Sequence, residues 1–426
     1  MISVGEALAA IVEATPVLGA QRVELAEACG RVAAEDVVSA RTVPAADNSA
    51  MDGFAVRGAD VAAAGARLRI VGQVPAGSVR AATLAAGEAV RIYTGSVVPP
   101  GADTVVRVED TETDGDTVVV TEAIALAANV RRAGEDVAPG AVVVHAGHLL
   151  GPADVGVLAS IGCAALRVHA RPRVAILSTG AELVEIDQTP GPGQVVNSNA
   201  WALAAAVREA GADPVVLPLV RDRLADVQVA LERAATHDAV LSTGGVSVGD
   251  FDFVKEALDA LGVRQLFWQV AQKPGKPLTF GRREDCLFFG LPGNPVSALV
   301  CFYVYVWPAL RRLTGHRTLH LPTTRARLDA PVRTRGSLTE FVRVRLRVDG
   351  DEVVATPVRS QSSGVLSGMA GGAGLLIVPA GTAGAEAGTT ARVILPAGHA
   401  LATAEAAPEL RSDSPADPRS ARRGPG

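Results

Sequence analysis

Lysine is almost absent from this chain. Among its 40 basic residues only Lys255, Lys273 and Lys276 are lysines, and arginine supplies the rest. The two are not interchangeable, because lysine is a compact point charge and arginine a planar fork. A chain that uses arginine nearly everywhere and still keeps two lysines in one short loop marks that loop. Cysteine is scarce too. Cys29, Cys163, Cys286 and Cys301 are scattered, with no Cys-x-x-Cys pair, which argues against a zinc ribbon and a disulfide framework. They read as small buried residues in a reducing compartment. An excess of positive charge is missing. The net charge is −5, without the basic stripe of a nucleic-acid binder, so no nucleic-acid partner is expected. An anionic ligand must then be held by a local set of donors. Long apolar runs are missing as well. The longest, residues 298–310, is too short to cross a bilayer and reads as a buried helix, so no membrane partner is expected. The first residues, MISVGE, lack the basic and apolar regions of a signal peptide, and the expected location is cytoplasmic.

What is present is apolar: 48% of 426 residues, enough for two to four cores. Residues 3–40 read as helical, with Ala7, Ile11 and Leu25 at helical spacing. Short strands with Gly/Pro turns follow at 68–74, 89–93, 104–109 and 117–121, a β-rich unit ending near Asp136. A connector with a strand at 141–144 and a helix near 152–161 leads into alternation. Strands are expected at 173–177, 214–220, 239–242 and 286–290, and helices at 200–210, 224–235, 253–261 and from Pro295. Strands separated by helices imply a mostly parallel sheet covered on both faces. From about Leu321 the chain turns β-rich again. After Ala400 the composition is Ala, Pro, Ser and charge, and a disordered tail is expected.

Two segments share one layout. STGAE (178–182) and STGGVSVGDFD (242–252) each follow a strand, at the carboxyl end where open α/β sheets bind ligands. Glycines there let backbone N–H groups and a helix N-terminus face an anion. A tight βα turn accounts for the glycines alone, but Asp250 and Asp252 add something a turn does not need. Carboxylates beside a phosphate cradle require a cation between them, and Mg²⁺ binds through one or two carboxylates plus phosphate oxygens. Glu182 stands at the matching place in the first segment, where the plain alternative is a favourable charge in the first turn of a helix. KPGKP (273–277) presents two ammonium groups on a rigid loop, where ordering costs little entropy. LPGNPVS (291–297) puts Asn294 at an N-cap and Pro295 at the first helical position, a structural role as well supported as a functional one. DNSAMDGFA (47–55) gathers polar groups around Met51 in a turn, with Gly53 after Asp52 suited to a special backbone angle. NVRRAGED (129–136) sets two arginines beside two carboxylates, as a surface charge cluster or as part of a site.

Taken in chain order, and with Thr94-Gly95 added after the first of them, these segments resemble the MoeA/gephyrin E-domain family, the molybdopterin molybdenumtransferases, over nearly the whole chain. The resemblance implies a multidomain α/β plus β fold. Its parts are an elongated discontinuous connector (1–40 and 137–167), a β-rich inserted domain (41–136), a central parallel-type α/β molybdopterin-binding domain like that of the molybdopterin adenylyltransferases (168–318), a C-terminal β-barrel (319–400) and the tail (401–426). It implies a homodimer whose site lies between the α/β domain of one subunit and the insertion of the other. The implied reaction inserts molybdenum from molybdate into adenylylated molybdopterin and releases AMP, with Mg²⁺. Carried over residue by residue, Asp52, Thr94, Asp136, Asp222, Lys273 and Lys276 take catalytic positions, and Glu182 and Asp252 the Mg²⁺ carboxylates. Ser178, Thr179, Gly180, Thr243, Gly244, Gly245 and Ser247 take the cofactor-binding turns, and Arg343 and Ser363 the positions that hold molybdate. Transient contacts with the adenylyltransferase and with molybdoenzyme chaperones follow from the same resemblance. Phe54, Ala181, Gln269 and Gly364 depart from the family's usual residues. Two other readings share features. The adenylyltransferase would lack residues 41–136 and the domain after Leu321, and a non-catalytic gephyrin-like scaffold would carry long linkers or further domains.

Overall fold

Arg173–Ser178 and Ala239–Thr243 are buried almost end to end. Such strands need cover on both faces, and both receive it. Val174 and Ile176 point into one core with Ala7, Ile11, Leu203 and Phe289. Ala175 and Leu177 point into another with Val227, Leu231 and Val254. This is the two-residue period of a strand. The computed structural model describes residues 1–221, 223–244 and 253–396. They form two compact units, Gly19–Ala170 and a second made of Met1–Leu18 with the chain from Arg171.

The α/β sheet of the second unit runs Asp213–Val216, Arg173–Ser178, Ala239–Thr243, Cys286–Leu291, Thr279–Arg283, Arg264–Phe267. The first four strands pair in parallel; the last two join by antiparallel pairings, Thr279–Arg283 running against both of its neighbours, Cys286–Leu291 and Arg264–Phe267. Those two escape the sequence reading because Arg264, Arg282 and Arg283 break the apolar pattern near the sheet edge. One face is covered by Val4–Ala14, Ser198–Glu209 and the long helix Pro295–Leu313, whose middle, Phe302–Val306, is π-helical. That helix is long and apolar enough to cross a membrane, but 83% of its apolar window is buried, and it is a core helix.

Val4–Ala14 replaces the helix expected over residues 3–40. Thr15 precedes Pro16, and a residue before proline is pushed out of the helical region; its φ is −87 and its ψ 118. The chain then forms the strand Ala20–Glu24, antiparallel to Ala165–His169. Residues 1–18 pack with the α/β core, whereas the sequence reading assigns 1–40 to the connector; Ala7 and Ile11 are fully buried there.

Farther on, Thr339–Asp349 pairs with Glu352–Pro357 and Gly374–Val378. Glu352–Pro357 pairs with Thr323–Leu328, which returns through Thr390–Ile394 to Gly374–Val378. Five strands thus close into the expected β-barrel. A further strand, Gln272–Lys273, adds parallel to the barrel, with Lys273 opposite Glu340. The lysine loop is stitched to the barrel by this pairing.

The unit Gly19–Ala170 holds a second six-stranded sheet, ordered Thr104–Arg107, Gly53–Val56, Glu88–Ile92, Arg67–Val74, Thr117–Val120, Thr111–Asp114. A Cβ on Gly53 would lie 1.9 Å from the Val106 carbonyl oxygen. This glycine serves close strand approach, not the special backbone angle expected of it. Cys286 and Cys301 are buried as expected, but Cys29 is exposed.

Candidate active site

The parallel strands end in register, Ser178 beside Thr243 and Thr243 beside Leu291. Beyond these ends lies a cleft of about 630 Å³, lined by Thr179, Glu182, Asn199, Thr243, Gly244 and Asn294 among others. The hydroxyls of Ser178 and Thr243 hydrogen-bond at 3.0 Å. The Thr179 N–H donates to the Thr243 carbonyl at 3.1 Å, so the two turns are tied together. Gly244 has φ +89, and a Cβ there would meet the Thr179 carbonyl oxygen at 2.3 Å. Only glycine suits that position. Glu182 lines the cleft and is exposed, and a Cβ on Gly180 would meet its carboxylate oxygen at 2.8 Å. Thr179 is 3% exposed, and its Oγ1 has no hydrogen-bond partner among the described residues. A buried hydroxyl on a cleft wall is costly unless a ligand or water meets it.

A second cleft of about 690 Å³ adjoins the first, and Pro277 and Asn294 line both. The lysine loop forms one wall; Glu340, Ser362 and Ser363 form another. Lys273 Nζ lies 3.1 Å from Glu340 Oε2, and Glu340 is 6% exposed. Lys276 is exposed and makes no ion pair with a described residue. Of the two lysines, Lys276 therefore offers the uncompensated charge. Nothing in the sequence marks Glu340; strand pairing alone brings it opposite Lys273.

Arg343 is 1% exposed and does not line the cleft. Its guanidinium donates to the carbonyls of Val365 at 2.9 Å, Ser360 at 2.8 Å and Ser362 at 2.9 Å. Burial presses against its charged form and lowers its pKa. The structure places it beneath the loop that carries Ser363, and the Ser363 carbonyl accepts the N–H of Val296 at 3.1 Å. Asn294 occupies the N-cap position, yet its side chain makes no capping bond and lines both clefts. Asp222, Gly245, Ser247, Asp250 and Asp252 lie outside the described residues.

In the unit Gly19–Ala170, three of the singled-out segments converge. Asn48 pairs with Arg131, and Ser49 exchanges backbone bonds with Gly95 and Ser96. Asp47 accepts from Arg132 at 2.6 Å and from the Ala133 N–H at 2.8 Å. Asp136 is exposed, with its N–H on the Val43 carbonyl. Asp52 Oδ1 accepts the Thr94 N–H at 2.7 Å and the Thr94 hydroxyl at 2.8 Å. These bonds, the backbone one foremost, hold the Asp52 carboxyl below the usual carboxylate range. A depressed carboxyl favours the bonded turn above its unfolded value, and the benefit is lost as pH falls through the lowered folded value. Thr94→Val keeps the N–H bond and loses the hydroxyl. The Asp52 titration followed by carboxyl NMR is expected to move up but to stay below that of a free aspartate. An unmoved titration would mean that the hydroxyl bond is absent in solution.

Family models match the chain in three successive stretches. Residues 2–162 match the MoeA N-terminal region (domain I and II), 175–312 a probable molybdopterin binding domain, and 325–395 the MoeA C-terminal region (domain IV). The chain is 37% identical over 381 residues to molybdopterin molybdenumtransferase 2 of Mycobacterium tuberculosis, covering 87% of this chain and 94% of that one. It is 35% identical over 382 residues to the molybdopterin molybdenumtransferase of Bacillus subtilis, covering 88% and 89%. The crystal structure of the molybdopterin biosynthesis moeA protein from Pyrococcus horikoshii OT3 superposes with a TM-score of 0.81 at 29% identity, covering 93% of this chain and 100% of that one.

Proposed function

The chain belongs to the MoeA family and is a molybdopterin molybdenumtransferase of molybdenum cofactor biosynthesis; on that premise we propose how its residues divide the work. The reaction takes molybdate and adenylylated molybdopterin, inserts molybdenum at the dithiolene and releases AMP. One observation supports this most: a glycine-turn cradle fit for phosphate adjoins a lysine-bearing pocket fit for a tetrahedral oxyanion, with Pro277 and Asn294 common to both.

The pterin's phosphate linkage lies along Thr179, Thr243 and Gly244, within reach of the Thr179 hydroxyl, which is unpartnered among the described residues. Molybdate lies beside Lys276 and Ser363. The Lys276 ammonium, held on a rigid loop, offsets oxyanion charge as a preplaced fixed charge. Arg343 holds the Ser363 loop in shape. Lys273 is held by Glu340 and sets the loop's other end. Asp52, Thr94 and Asp136 keep the catalytic positions that the family resemblance gives them.

Mg²⁺ fits the donor set. Among the described residues no group of three or more His, Cys, Asp or Glu side chains gathers into a cage. Mg²⁺ does not need one, since it binds through one or two carboxylates plus phosphate oxygens. Glu182 on the cleft wall would hold it, and the ion would neutralise phosphate charge as AMP leaves. A cytoplasmic homodimer completes the proposal, tested by sedimentation of the purified protein.

AMP release from adenylylated molybdopterin is expected only when molybdate is present. Equal release without molybdate would leave a hydrolase and sink the coupling. A different activity, formation of the adenylylated pterin from ATP and molybdopterin with release of pyrophosphate, would favour the adenylyltransferase reading.

A further inference from the structure

A buried polar relay lies beneath the lysine loop, and no step above uses it. Gln272 is 0% exposed. Its Nε2 donates to the Pro274 carbonyl at 2.9 Å and to the Gly275 carbonyl at 3.4 Å. Its Oε1 accepts the hydroxyl of Tyr305, which is also fully buried. Carbonyls only accept, so one orientation of the amide satisfies all three partners. Tyr305 stands in the π-helical stretch Phe302–Val306 of the core helix, a departure from α-helix that recurs at functional positions. Gly275, at φ +92, packs so closely that a Cβ would meet Cys301 Sγ at 2.5 Å and Gln272 Nε2 at 2.7 Å.

An amide and a phenol in an apolar core are costly unless every donor and acceptor is met, and an apolar pair would fill the same space without that demand. What the amide alone supplies is a fixed link from the core helix to the two carbonyls that lie between Lys273 and Lys276. We propose that Gln272, oriented by Tyr305, is a positioning residue that presets the Lys276 ammonium for its oxyanion. The loop is then ordered on folding, and binding does not have to order it. This rests on the reading that molybdate lies beside Lys276.

The test titrates molybdate at fixed adenylylated molybdopterin for Tyr305→Phe, Gln272→Met, the double variant and Lys276→Ala. Thermal midpoints and the half-saturating pterin concentration are measured alongside. One net hydrogen bond corresponds to roughly a three- to tenfold change. Each single variant is expected to raise half-saturating molybdate by that factor while the pterin value stays put. The double variant removes both ends of the Gln272–Tyr305 bond, so its midpoint recovers above that of Gln272→Met. Its molybdate value stays raised, because no donor reaches the Pro274 and Gly275 carbonyls. Should Gln272→Met fail to fold, Tyr305→Phe decides alone. A relay that is only structural leaves half-saturating molybdate unmoved, or lets it recover together with the midpoint, and either result overturns the inference while Lys276→Ala still shifts. If Lys276→Ala itself does not shift the titration, molybdate lies elsewhere and both readings fall.

Discussion

Lys276→Ala raises the molybdate concentration for half-maximal insertion by roughly ten- to over a hundredfold, the usual worth of a charged contact to an anion. The expectation follows from the division between the two lysines. Lys273 spends its charge on Glu340 at 3.1 Å, whereas Lys276 is exposed and unpaired among the described residues. Lys276→Arg restores only part of the loss. A planar fork reaches further than an ammonium and favours a planar, bidentate partner, which a tetrahedral oxyanion is not. Lys273→Ala has a different expected signature. It leaves the carboxylate of Glu340, 6% exposed, without its ion-pair partner and with only the long bond from the Arg335 N–H at 3.4 Å among the described residues, so stability falls along with affinity. If Lys276→Arg titrates like the parent, the scarcity of lysine in this chain says nothing about the site.

Gly244→Ala abolishes measurable binding of adenylylated molybdopterin and lowers the thermal midpoint. Two independent effects combine. At φ +89 an L side chain strains the backbone by roughly 1–2 kcal/mol. The added Cβ also meets a backbone carbonyl, that of Thr179, at 2.3 Å, and a carbonyl inside two tied turns cannot swing away as a flexible side chain could. The turns must part, and the register between Thr179 and Thr243 is lost with them. A displacement near 1 Å at a reacting site costs on the order of a hundredfold. Calorimetry with the pterin nucleotide and circular dichroism on the same sample separate lost binding from lost folding. A folded Gly244→Ala protein that binds the pterin like the parent would remove the phosphate cradle from this reading.

Much of this was legible in the residues themselves. Strand-ending STG segments announce a carboxyl-edge crevice because strand and turn are each written in local chemistry, although no helix starts after the first of them, where Leu183–Val184 is a short strand. The four parallel strands, such as the one expected at 239–242 and found at Ala239–Thr243, are recoverable for the same reason. The pair KPGKP and the shortage of lysine elsewhere point to one loop without any coordinates. Errors arose where a local signal was overruled or diluted. The helix over residues 3–40 stops at Thr15 because Pro16 forbids continuation, and the charged strands near the sheet edge carry no apolar period to read.

The tertiary structure alone decided which charges are free. Lys273 and Glu340 are 67 residues apart, and only the parallel pairing of Gln272–Lys273 with the barrel neutralises one lysine and leaves the other. Arg343 looks like a cleft cation in sequence, but burial turns its donors onto three carbonyls of the loop above it. Gln272 and Tyr305 look like an ordinary polar residue and an ordinary core aromatic until the π-helical stretch sets them against each other. The physical reason is range. Periodicity, capping and turn chemistry act within a few residues and are written along the chain, whereas the partner of a buried charge or amide is set by long-range packing, which no local pattern encodes.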